Sequence, residues 1–102
     1  MYYTYAGCSK LHGTPKCGTN TVNMVATYSD CFNLTGSPVV GKNVDNMYYT
    51  YSNCVNLTGE AVCAENVTDM YRAYYGCSNI TKAACGDKVT NFVDAYTGCA
   101  NL

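Results

Sequence analysis

A chain of 102 residues with six basic and seven acidic side chains, formal net charge −1, offers no basic stripe for gripping a nucleic acid as its main ligand. No apolar run approaches the roughly 18 residues that a membrane-spanning helix needs. The opening Met1-Tyr2-Tyr3-Thr4-Tyr5 lacks the charged start and apolar stretch of a targeting signal.

A repeat organises the rest. The framework Met-x-x-x-Tyr-x-x-Cys-x-x-Leu occurs as Met1, Tyr5, Cys8 and Leu11, then as Met24, Tyr28, Cys31 and Leu34. It returns as Met47, Tyr51, Cys54 and Leu57, as Met70, Tyr74, Cys77 and Ile80, and last as Phe92, Tyr96, Cys99 and Leu102. The period is 23 residues three times and 22 once, a spacing that marks stacked repeat architectures. The units are 1–23, 24–46, 47–69, 70–91 and a partial 92–102, forming one solenoid domain over 1–102. The apolar side chains of one unit cannot offset the backbone entropy of ordering it, so neighbours must supply the remaining burial. Neither end carries a recognisable cap, so the chain reads as a segment of a longer array.

Within a unit, Val44, Met47, Thr50, Tyr51 and Cys54 are spaced as one face of a helix. The small member of that face recurs as Thr4, Thr27, Thr50, Ala73 and Ala95. Val22, Asp45, Thr68 and Thr90 stand two residues before the Met position, and all but Val22 are good N-caps. Gly7, Asp30, Asn53, Gly76 and Gly98 precede each Cys and tolerate a left-handed stop. The pattern predicts a short helix in each unit, too short to persist alone.

After it, Leu34–Val40 and Leu57–Cys63 read as short extended segments, with Val39, Val40, Val62 and Cys63 turned partly inward. Such segments in successive units pair in parallel about 4.8 Å apart. Gly18 and Asn20, like Gly41 and Asn43, turn the chain into the next unit. The fourth unit is one residue shorter between Ile80 and Cys85, which predicts a distorted turn. The expected class is an α/β repeat solenoid, with a short helix and a short parallel strand per 23-residue turn.

The string Asn66-Val67-Thr68-Asp69-Met70, followed by Tyr74-x-x-Cys77-x-x-Ile80-Thr81, resembles the bacterial surface-protein repeat of the BspA-like leucine-rich-repeat type. That framework reads Val-Thr-x-Met, then Phe-x-x-Cys-x-x-Leu-Thr, and here Tyr stands where Phe is usual. The match runs the whole length. It implies a leucine-rich-repeat-like curved stack with strands on one face and helices on the other. It further implies display on a bacterial surface or in a phage structural protein, a role in adhesion or recognition, and no catalytic residues. Gly36 and Pro38 interrupt the extended segment, a departure from the longer aliphatic strand of many such repeats.

Eight cysteines first suggest a disulfide framework or a metal site. The repeat argues for buried thiols. Cys8, Cys31, Cys54, Cys77 and Cys99 share one inward position, while Cys17, Cys63 and Cys85 share another that Val40 also fills. A free Cys packs as a small hydrophobe, whereas obligatory bridges would not accept Val. There is no Cys-x-x-Cys and His12 is the single histidine, so no metal or other cofactor is expected. His12 occupies the polar slot of Thr35, Thr58 and Thr81 and reads as solvent-facing. Asn33, Asn56, Asn79 and Asn101 follow each Cys by two and suit a ladder that satisfies backbone groups between units. The glycosylation triplets starting at Asn33, Asn56, Asn66 and Asn79 follow from the repeat itself.

Paired carboxylates, a phosphate loop and a Ser–His–acid set are all missing from the sequence, so an enzyme is not expected. Two functions fit. One is a recognition or adhesion module that displays variable residues to a protein or a surface glycan, at a cell surface, extracellularly or on a virion. The other is a structural segment of a surface or phage fibre that associates head to tail with itself. The slots one, two and five residues after Met point outward on a helix with this inward set. They hold Tyr2, Tyr3 and Ala6; Val25, Ala26 and Ser29; Tyr48, Tyr49 and Ser52; Tyr71, Arg72 and Tyr75; Val93, Asp94 and Thr97. Exposed Tyr with Arg is the composition of binding hot spots, which makes Tyr3, Tyr48, Tyr49, Tyr71, Arg72 and Tyr75 the candidate partner-binding residues. For Tyr48 and Tyr71, sideways packing between units is the alternative. The expected core is Met24, Tyr28, Cys31 and Leu34, Met47, Tyr51, Cys54 and Leu57, and Met70, Tyr74, Cys77 and Ile80.

Overall fold

The stretch from Met to Cys folds in each unit as a run of tight turns, in a computed structural model that describes residues 5–83 and 86–102. The Thr27 N–H donates to the Met24 carbonyl at 3.1 Å and the Cys31 N–H to the Tyr28 carbonyl at 3.1 Å. The same pair of bonds recurs at Met47–Thr50 and Tyr51–Cys54, and at Met70–Ala73 and Tyr74–Cys77. The third residue of each turn is left-handed: φ is 51° at Ala26, 60° at Asp30, 60° at Tyr49, 61° at Asn53 and 51° at Arg72. A positive φ at that position is the signature of a type II turn. It also ends any helix.

The N–H groups released by these turns pair between units. Met24, Ala26, Tyr28 and Asp30 donate to the carbonyls of Asn46, Tyr48, Thr50 and Ser52 at 2.7–3.0 Å. Met47, Tyr49, Tyr51 and Asn53 donate in turn to Asp69, Tyr71, Ala73 and Tyr75, and the fourth unit repeats the pattern onto the fifth. This overturns the expected α/β solenoid with its leucine-rich-repeat pairing of strand and helix. An α-helix would have closed its N–H groups on its own carbonyls. Here every second N–H crosses to the neighbouring unit, and no helix forms among the described residues.

Regular strand is equally brief. β1 (Gly59–Ala61) and β2 (Ile80–Ala83) form one parallel pair, with a register irregularity between Gly59 and Glu60. Elsewhere parallel pairing is reduced to isolated bridges, such as Gly13 with Leu34 and Asn46 with Asp69. Pro38 lacks an N–H to give to a ladder, Gly36 is left-handed at 75°, and Val39 turns out to solvent rather than inward. The distorted turn expected of the shortened fourth unit falls on residues 84 and 85, outside the described residues. The whole forms a body of 31 × 27 × 18 Å.

The unit is entered through a different device from an N-cap. Oδ1 of Asn23, Asn46, Asp69 and Asn91 accepts the N–H two residues on, at 2.8, 2.9, 2.9 and 3.2 Å. These are Asx turns, one residue later than the caps read from the sequence. The Thr68 and Thr90 hydroxyls bond to the preceding unit, each at 3.2 Å.

One continuous core runs through the stack. Met24, Tyr28, Cys31, Leu34, Met47, Tyr51, Cys54, Leu57, Met70, Tyr74, Cys77 and Ile80 are all buried. Their rings stack in file: Tyr5 on Tyr28 at 5.3 Å, then Tyr51, Tyr74 and Tyr96 at 5.4, 5.5 and 6.2 Å. The Tyr28, Tyr51 and Tyr74 hydroxyls each hold the return segment of the unit before. Tyr28 donates to the Lys16 carbonyl at 2.5 Å and accepts the Lys16 N–H at 3.1 Å. Tyr51 does the same at Val39, and Tyr74 donates to the Val62 carbonyl at 2.6 Å. A Phe at this position would orphan those backbone groups, a physical reason for Tyr in this chain.

The thiols form a second file. Cys8, Cys17, Cys31, Cys54, Cys77 and Cys99 are free thiols. The Cys31, Cys54, Cys77 and Cys99 S–H groups donate to the carbonyls of Tyr5, Tyr28, Tyr51 and Tyr74 at 2.9–3.1 Å. Each thiol is therefore a weak donor between units as well as a small hydrophobe. Asn33, Asn56 and Asn79 donate to the carbonyls of Ser9, Phe32 and Val55. Asn101 instead meets the Asn79 side chain.

Candidate partner-binding ridge

The slots after Met are placed by the turns just described. The Asx turn at Asn46 fixes the Tyr48 backbone, and the turn at Asp69 fixes Tyr71. Tyr49 and Arg72 occupy the left-handed corner, where the side chain stands away from the core. Tyr75 follows in the next turn.

The structure brings five of the candidates together. Tyr48 and Tyr71 stack across adjacent units at 5.1 Å with planes 18° apart, which is the sideways packing. Tyr49 tilts against both, at 4.7 Å from Tyr48 and 5.6 Å from Tyr71. The Arg72 guanidinium lies 4.7 Å from the Tyr75 ring centre, 5.6 Å from Tyr71 and 5.8 Å from Tyr49. Its Nη1 donates to the Tyr49 hydroxyl at 3.4 Å, and its Nε lies 3.6 Å from Asp94 Oδ2. All five side chains are half-buried: held on one side and open on the other. Such contacts limit the rotamers of long side chains before any partner arrives. Tyr3 lies outside the described residues.

Not every outward slot is outward. Val25, Ala26 and Ser52 are buried, because slots filled by small side chains leave them level with the packed surface. Val93 and Thr97 are exposed. Asp94 was not singled out as a site residue by sequence reasoning. The signal was present, since it fills the Arg72 slot one unit later and the two meet across the stack.

Among the described residues, neither thiols nor histidine form a reactive set. Burial pushes the Cys77 thiol up to about 12 and raises Cys54, Cys31 and Cys99 as well. A nucleophilic thiolate needs the opposite environment. His12 is exposed, and among the described residues its ring hydrogen-bonds only to the Lys10 carbonyl, at 3.2 Å. Thr35 and Thr58 are exposed on the same outer row. Among the described residues no group of three or more His, Cys, Asp or Glu could hold a metal ion. No helix of the described residues is long and apolar enough to cross a membrane. No family model matches the chain, and no curated protein or solved structure matches it significantly.

Proposed function

We propose that this chain is a non-enzymatic recognition module that reads a protein or a surface glycan through Tyr48, Tyr49, Tyr71, Arg72 and Tyr75. The observation that supports this reading is the cluster in which the half-exposed Tyr49, Tyr71 and Tyr75 rings surround the Arg72 guanidinium and Tyr48 packs against Tyr49 and Tyr71. Tyr and Arg provide large, planar contact area with few rotamers to freeze, and they dominate measured binding hot spots. The inter-unit ladder beneath holds them in a fixed geometry, so less ordering remains to be done on binding. Display at a cell surface, extracellularly or on a virion is the setting this function suits.

The test is a triple variant, Tyr49→Ser, Arg72→Ser and Tyr75→Ser. Wild type and variant would be compared on a glycan array and against purified candidate surface proteins. The variant should lose no more than about 0.5 kcal/mol of stability per site, because the three side chains are partly solvated. Its binding should fall at least tenfold. Undiminished binding would move the site to the row of His12, Thr35 and Thr58.

A further inference from the structure

Arg72 and Asp94 meet on the ridge without bonding. Their Nε and Oδ2 atoms lie 3.6 Å apart, near enough to attract and too far for a hydrogen bond. The Arg72 Nε is buried and has no hydrogen-bond partner. Nη1 makes one long bond to the Tyr49 hydroxyl at 3.4 Å, and Nη2 makes none among the described residues. Asp94 is held through its other oxygen, where Oδ1 accepts the Thr97 hydroxyl at 3.1 Å, and Oδ2 stays a spare acceptor among the described residues. The two side chains are 34% and 40% exposed. Spare donors and a spare acceptor therefore stand side by side, next to the half-exposed Tyr49 and Tyr75 rings.

Charge and size narrow what such a site takes. The chain's single arginine faces the Asp94 carboxylate, so the pair is neutral as a unit. The Asp69 carboxylate, which accepts the Tyr71 N–H at 2.9 Å, adds negative charge close by. An acidic ligand would be repelled by both carboxylates. A protein partner would cover roughly 800 Å², about a sixth of the 5075 Å² of accessible surface. Five half-buried side chains offer far less. A neutral ligand with donor and acceptor oxygens side by side meets neither objection.

We propose that the ridge reads a neutral glycan, with adjacent hydroxyls of a pyranose bridging Arg72 and Asp94. One hydroxyl donates to Asp94 Oδ2, and its neighbour accepts from the Nη edge of Arg72. Hydrogen bonds to charged groups are the strong ones, and these supply what the pair does not give itself. The apolar C–H face of the sugar lies against the Tyr49 and Tyr75 rings that flank the guanidinium. Rungs of the stack repeat at ring separations of 5.1–5.5 Å, close to the advance of one sugar unit along an extended glycan. The inference rests on the ridge being the reading surface, and adds to it Asp94 and the class of ligand.

The test uses the 102-residue protein on an array of neutral oligosaccharides and of uronate- and sialate-bearing ones. Each is duplicated after treatment with periodate, which cleaves the bond between adjacent hydroxyl-bearing carbons. Wild type should bind neutral oligosaccharides and lose that binding on the treated duplicates. Asp94→Asn is nearly isosteric, and Asn tolerates the left-handed backbone of this corner. Its binding should fall by about tenfold or more, the loss expected of one hydrogen bond to a charged group. Arg72→Lys, which keeps the charge and loses the planar fork, should fall likewise. Both should keep the wild-type circular dichroism spectrum. Asp45→Asn, at an exposed acid outside the pair, should bind as wild type does. Binding that survives periodate or Asp94→Asn would overturn the proposal, as would a preference for the acidic oligosaccharides or an equal loss in Asp45→Asn. A wild type that binds no neutral oligosaccharide would overturn it whatever else it binds. If a surface protein is captured instead, and the triple variant of Tyr49, Arg72 and Tyr75 loses it, the ridge remains the reader and only the ligand class is wrong.

Discussion

Replacing Tyr51 with Phe removes one oxygen from the centre of the ring file and leaves its apolar packing in place. The ring keeps its stacks on Tyr28 at 5.4 Å and Tyr74 at 5.5 Å. What goes is a reciprocal pair of bonds: the hydroxyl donates to the Val39 carbonyl at 2.5 Å and accepts the Val39 N–H at 3.1 Å. A made hydrogen bond contributes about 0.5–1.5 kcal/mol net, and a buried group left without one costs about 1–3 kcal/mol. The Val39 side chain is 40% exposed, so water reaches part of the orphaned pair. The loss should then be about 2 kcal/mol, the sum of two ordinary bonds rather than two dry orphans. With a urea slope of roughly 1 kcal/mol/M for a small domain, the unfolding midpoint falls by about 2 M. Tyr74→Phe should lose only about half as much, since its hydroxyl is bonded to the Val62 carbonyl alone among the described residues. Tyr51→Ala, which also removes the ring, should cost about 3–5 kcal/mol. Urea titration by far-ultraviolet circular dichroism measures all three. A Tyr51→Phe loss below about 0.5 kcal/mol would refute the claim that the hydroxyl anchors the return segment.

Alkaline pH tests the dryness of the thiol file. Burial holds Cys77 at about 12 and raises Cys54, whereas thiols of the unfolded chain titrate near about 8.5. Their folded-state contribution is therefore complete below about pH 8.5 and is lost as pH rises toward the folded value, by about 1.4 kcal/mol per pH unit for each thiol. Urea midpoints measured from pH 7 to about 10 should fall accordingly, and a flat profile would mean that water reaches the thiols. Glycines test the approach of the units. A Cβ at Gly41 would stand 2.8 Å from the Gly18 carbonyl oxygen and 3.1 Å from Cys17 Sγ, so Gly41→Ala should cost about 1–3 kcal/mol. Gly7 has open space around that position, and Gly7→Ala should cost only about 1–2 kcal/mol for the left-handed backbone. A harmless Gly41→Ala would show that the units sit farther apart than described.

The period, the framework and its inward positions were legible because burial depends on side-chain type and spacing. So were the left-handed sites before each Cys, where Gly7, Gly76 and Gly98 alternate with Asp30 and Asn53. The helix was misread because a run of tight turns also closes every three residues and puts Met, Thr and Tyr on one side. What separates the two is the second left-handed corner, at Ala26, Tyr49, Arg72 and Asp94. No glycine marks it, so nothing in the residue types announces a break. The Asx turns at Asn23, Asn46, Asp69 and Asn91 were visible as a column but lay beside the residues taken for caps. The role of the cysteines was half legible. Packing accounts for the file that also admits Val40, whereas the Cys31–Cys54–Cys77–Cys99 file uses its S–H groups as donors between units.

That unmarked corner links the fold to the proposed function. The turns that close Thr27 on Met24, Thr50 on Met47 and Ala73 on Met70 take a left-handed residue there, and alternate N–H groups pair with the neighbouring unit. Left-handed backbone costs an ordinary residue roughly 1–2 kcal/mol, and glycine nothing. Folding alone would therefore be served best by four glycines. The chain instead places Ala26, Tyr49, Arg72 and Asp94 at φ between 51° and 60°. Ala26 is buried and can be kept for packing. Tyr49, Arg72 and Asp94 are half-exposed, and Arg72 hydrogen-bonds to Tyr49 of the unit before it and forms an ion pair with Asp94 of the unit after it. Backbone strain held at side chains that the core does not need is what the proposed recognition role would explain. It is at these corners, more than in the tyrosine count, that the ridge differs from an ordinary packed surface.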